Sequence, residues 1–129
     1  MKRQPSNVVI ILMVVGLMVG CANFKKNAYS TLDSTRIAVD TAMKIAGDLY
    51  TQDIINEQQK DDIIIIHDKY RAIHQMLCEL LKMYDALDKD EVAKKPLQEQ
   101  IEIALVELSK LATEISNIVT KYLQQSTGK

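Results

Sequence analysis

The chain has 129 residues, 47% of them hydrophobic and 26% charged, with 4 Gly, 2 Pro and a formal charge of −1. That length holds one small core, and the scarcity of Gly and Pro argues against a loop-rich or all-β body. Charges of both signs among abundant aliphatic residues argue against disorder, and the slight acidity leaves no basic stripe for nucleic acid.

The first twenty residues stand apart. Lys2 and Arg3 give a positive start, and Val8 to Gly20 then runs without a charged or strongly polar side chain, broken only by Gly16 and Gly20. As a helix this run rises only about 20 Å, short of the ~30 Å of hydrocarbon that a spanning segment must cross. Extending it back to Pro5 adds Pro and Asn without reaching that length. A basic start, a short apolar middle and small residues at the end describe a secretory leader over residues 1–20.

The leader closes on Leu17, Met18, Val19, Gly20 and Cys21 rather than on an A-x-A site. This resembles the lipobox of bacterial lipoproteins, in which a small residue precedes a cysteine whose sulfur receives a diacylglyceryl group before cleavage. Gly20 and Cys21 match the pattern, Val19 is compatible with it, and Met18 stands where leucine is commoner. The resemblance covers residues 1–21 and implies cleavage between Gly20 and Cys21, with Cys21 as the lipidation site. One acyl chain gives only marginal binding; two or more hold a protein on a membrane without spanning it. Ala22, rather than Asp, follows the cysteine, which in the family's sorting pattern implies the outer membrane, facing the periplasm, if the host has two membranes.

The mature chain then runs over residues 21–129. Without Lys2 and Arg3 it keeps 14 basic and 17 acidic side chains, a net of about −3. Residues 21–28 read as the anchor and a short tether, with Lys25 and Lys26 either a solvated start or neighbours of anionic headgroups. With Cys21 acylated, Cys78 has no partner for an internal disulfide.

Three helical blocks follow. Leu32, Val39, Ala42, Met43, Ala46, Leu49 and Tyr50 recur at steps of three and four, predicting a helix over about 29–50. "TQDIINEQQ" breaks the pattern: Asn56 and Gln59 form a capping-box signature, and Ile54 and Ile55 are positioned to plug one end of the core. The second helix, about 57–88, carries the longest period: Ile63, Ile66, Tyr70, Ile73, Leu77, Leu80, Tyr84 and Leu87. The third, about 91–124, carries Leu97, Ile101, Ala104, Leu108, Leu111, Ile115, Ile118 and Tyr122, with Leu105, Ala112 and Val119 beside them. Pro96 either starts this helix or kinks it. Three stripes joined by short polar turns predict an all-α fold, an antiparallel three-helix bundle over residues 29–124, with 125–129 as a frayed tail.

Some residues fall outside the stripes. Ile64 and Ile65 leave the seam of the second helix, and Ile103 and Val106 that of the third, so the four are candidates for a partner surface unless a wide bundle stripe covers them. His67, His74 and Cys78 fall on one face of the second helix, and His74 with Cys78 could approach one metal ion. No H-E-x-x-H, E-x-x-H pair or C-x-x-C-H motif supports a metal or haem site, and no cofactor is expected. A glycine-poor body without a nucleophile elbow or a pocket for paired carboxylates does not suggest an enzyme. The sequence therefore points to a lipid-anchored, non-enzymatic interaction or structural protein of the cell envelope, associating with a protein partner or with itself. Alternatives are an envelope-modifying phage or mobile-element lipoprotein, and a ligand carrier using His67, His74 and Cys78.

Overall fold

The computed structural model describes residues 24–87 and 89–127; the leader, Gly20 and the lipidation site Cys21 lie outside them. The described residues form three helices packed against one another: α1 (Phe24–Thr51), α2 (Glu57–Ala86) and α3 (Glu91–Thr127), with no strand among them. Contacts down the α1–α2 seam fix the direction: Phe24 meets Tyr84, Thr35 meets Tyr70, and Lys60 lies over the Tyr50 ring. As residue numbers rise on α1 they fall on α2, so the two are antiparallel, and the turn at Leu87–Asp90 brings α3 back alongside α1.

Helix α3 is the axis of the bundle. It packs extensively on both α1 and α2, whereas those two touch each other far less. A helix with two neighbours must bury a wide arc, and α3 buries adjacent pairs: Ala104 with Leu105, Leu108 with Ser109, and Leu111 with Ala112. On α2 only Ile63, Tyr70, Leu77 and Leu81 are fully buried, flanked by half-buried Ile66, Ile73, Leu80 and Tyr84. Leu81 thus takes the place that the period gives to Leu80. The hydroxyl of Ser109 is buried without a hydrogen-bond partner among the described residues.

Both turns are built from local chemistry. At the end of α1, Ile54 N–H donates to Leu49 C=O at 2.8 Å and Asp53 N–H to Tyr50 C=O at 3.0 Å, the paired bonds of a Schellman motif. That motif requires a left-handed residue, supplied here by Asp53 at φ 62°. Glycine adopts this region without a Cβ penalty, so Asp53→Gly should raise stability by about 0.5–1 kcal/mol, read as a higher urea midpoint. Helix α2 opens with the expected capping box: Gln59 N–H donates to Asn56 Oδ1, and Asn56 N–H to Gln59 Oε1, both at 2.8 Å. Asp90 caps α3 by accepting from Ala93 N–H at 3.1 Å.

The structure corrects several boundaries. Helix α1 begins at Phe24 rather than 29, because Phe24 and Ala28 are core residues and not part of a tether. Helix α2 ends at Ala86 rather than 88, and α3 continues to Thr127, through part of the expected frayed tail. Pro96 lies inside α3 rather than at its start. It cannot donate to the Val92 carbonyl, but Val92 is 85% exposed and leaves that group open to water. Of the two residues expected to plug the core, only Ile55 is buried; Ile54 is exposed, as is Tyr50 beneath Lys60.

Candidate functional site

The α1–α2 seam carries the chemistry-bearing side chains. Tyr70 is buried at its centre, and its hydroxyl donates to Thr35 Oγ1 at 3.5 Å. Thr35 in turn donates to the Thr31 and Leu32 carbonyls at 2.9 and 3.1 Å, which returns the bond to the helix backbone. The Tyr70 ring stands between two imidazoles, with centroids 6.3 Å from His67 and 5.7 Å from His74. Cys78, a free thiol, lies one turn beyond His74, with Sγ 3.8 Å from Nδ1. On the facing helix Arg36 bridges Asp33 at 2.8 Å and Asp40 at 3.5 Å.

Burial raises the Tyr70 pKa, with the Thr35 hydrogen bond opposing it. Burial also lowers the His74 pKa, helped by the Arg36 charge and opposed by Asp40. The sign of the linkage follows. Below the ordinary imidazole value near ~6.5 the unfolded chain takes up a proton that folded His74 resists, so stability falls as the pH drops below that point. Urea midpoints measured between about pH 8 and pH 5 should show this decline, and His74→Asn should flatten it.

The sequence places His67, His74 and Cys78 on one face; the structure joins only the last two. Among the described residues no group of three His, Cys, Asp or Glu side chains is placed to hold a metal ion. Two ligands on one helical turn leave a tetrahedral sphere half empty. The seam is best described as a packed aromatic stack in which the Tyr70 and Thr35 hydroxyls each have an acceptor.

The four candidate surface residues do not converge either. Ile64, Ile65 and Ile103 are exposed, while Val106 is half-buried. Measured from the α2–α3 turn, Ile64 and Ile65 lie about ten residues farther along the bundle than Ile103, roughly 15 Å at the helical rise. The exposed apolar line on α2 consists instead of Ile65, Met76 and Met83. Spacings of eleven and seven residues are close to whole turns, so these three share one side of the helix. That spacing is present in the sequence, but methionines at heptad-like intervals also read as core.

No helix among the described residues is long and apolar enough to cross a membrane. No family model, curated protein or solved structure matches the chain.

Proposed function

We propose that the chain is an exported lipoprotein, anchored through acylated Cys21, whose helical body acts as a non-enzymatic interaction or structural protein of the cell envelope. The observation that carries this reading is the leader ending in "GLMVGC", with its basic start, its run too short to span and its cysteine at the boundary. Two features support it. The described helical body, from Phe24 onward, lies beyond Cys21, so the proposed cleavage would leave it intact. Among the described residues no three His, Cys, Asp or Glu side chains gather to hold a metal ion, and the buried Tyr70 hydroxyl is engaged by Thr35. Ala22 supports transport to the outer membrane in a host with two membranes.

Intact mass spectrometry of protein extracted from membranes tests this reading, with Cys21→Ser for comparison. Residues 21–129 plus two or three acyl chains, lost in Cys21→Ser together with membrane retention, is the expected result. A mass without lipid in the wild-type chain would overturn it.

A further inference from the structure

The three-residue step from Cys21 to Phe24 restricts where the body can sit. Three virtual bonds of 3.8 Å allow at most about 11 Å between the two Cα atoms, while the headgroup layer of one leaflet is only about 5–7 Å thick. Phe24 cannot easily release more chain, because its ring is buried against Tyr84 at 5.3 Å. Tyr84 also lies under the Lys94 ammonium at 4.8 Å, and Lys25 pairs with Asp85 at 2.9 Å. The start of α1, the end of α2 and the start of α3 therefore form one end of the bundle, the end nearest Cys21.

We propose that this end docks on the anionic headgroup surface of the bilayer that holds Cys21; the proposal rests on the lipoprotein reading above. The first turn of α1 contains no acidic residue and carries Lys25 and Lys26. Lysines at the positive end of a helix dipole are the wrong sign for an isolated helix, and anionic headgroups beside them reverse that penalty. Lys82, Lys89, Lys94 and Lys95 belong to the same end, against Asp85, Asp88, Asp90 and Glu91, so its six lysines leave a net charge of only about +2. Side chains lean toward the N-terminus of their own helix, so those at the starts of α1 and α3 lean toward the membrane side. Val92 is among them, at 85% the most exposed large hydrophobic residue among the described residues. The opposite end has the reverse character: Asp48, Asp53, Glu57, Asp61, Asp62 and Glu114 outnumber Lys44, Lys60 and Lys121. Charge along the bundle thus favours one orientation, with the acidic end away from the anionic surface.

Nitroxide labels test the orientation. The full acylated protein, carrying Cys78→Ala, is labelled at Ala86→Cys near Cys21 or at Gln52→Cys at the far end. It is then reconstituted in phosphatidylethanolamine/phosphatidylglycerol vesicles. Docking predicts that the Ala86 label relaxes preferentially with oxygen, which partitions into lipid, and the Gln52 label with an aqueous nickel chelate. Lys26→Gln and Lys95→Gln, or phosphatidylcholine in place of phosphatidylglycerol, should shift the Ala86 label toward the aqueous reagent. The docked-to-free ratio should fall roughly five-fold per lysine removed. Equal behaviour of the two labels in acylated protein overturns the docking alone. Absence of acyl mass on Cys21 overturns the lipoprotein reading and the docking with it.

Discussion

Leu108→Ala is expected to lower the unfolding free energy by about 3–5 kcal/mol, enough to move the melting temperature down by roughly 15–25 °C in a domain of this size. Leu108 has no exposed surface and sits midway along α3, the helix that packs on both others. Truncation therefore leaves a void in a close-packed core, whose neighbours are held by their remaining contacts and cannot fully collapse into it. Since total stability for such a domain is about 5–15 kcal/mol, the variant could lose half its margin. Urea unfolding of residues 21–129 with Cys21→Ser measures the difference. The same truncation one and a half turns earlier, Ile103→Ala, should stay within about 0.5 kcal/mol, because Ile103 is 72% exposed. Similar losses at both sites would mean that Ile103 is covered by a second molecule.

The contrast between Leu108 and Ile103 shows which features the sequence displays plainly. A stripe repeated over several heptads has few alternative registers, so α2 and α3 and their seams can be read directly from it. The capping box at Asn56 and Gln59 is equally legible, since both halves lie within four residues and depend on no distant contact. Tertiary partners decide the remainder. Tyr50 fits the stripe of α1 but lies outside under Lys60, and Leu81 rather than Leu80 takes the core because α3 approaches α2 from one side. Asp53 gives no glycine signal for its left-handed turn; the hydrogen bonds around it impose that conformation.

The candidate sites divide on the same line. His74 and Cys78 meet because i and i+4 always do on a helix, whereas the relation of His74 to Arg36 and Asp40 requires α1 to be docked. Tyr70 reads as a core aromatic in the sequence. Its hydrogen bond to Thr35, across 35 residues, becomes visible only when the seam closes. Ile64, Ile65, Ile103 and Val106 share a chemical type without sharing a surface, because position along an antiparallel pair depends on distance from the turn rather than on composition.

Phe24→Ala is the second large effect, about 3–5 kcal/mol for removing a fully buried ring. The sequence isolates Phe24 from the stripe that starts at Leu32, and it falls within the stretch that reads as tether. In the fold it is 2% exposed, and with Ala28 it extends the core to the end where Tyr84 and Lys94 meet. Its loss should act locally as well as globally. Amide exchange should quicken over the first turns of α1 and around Tyr84, beyond the uniform increase that a global destabilisation of the same size produces. The Lys25–Asp85 pair and the Tyr29 hydroxyl bond to Asp85 depend on the same register and should loosen with it. If α1 detaches up to about Leu32, the distance from Cys21 to the first fixed residue grows from three residues to eleven. The body would then be free to move some tens of ångströms from the anchoring surface. Phe24→Ala in acylated protein should accordingly release the Ala86 label from the lipid-like environment even with every lysine in place. Retained label contact after confirmed local unfolding of α1 would show that the lysines and Val92 hold that end without the short tether.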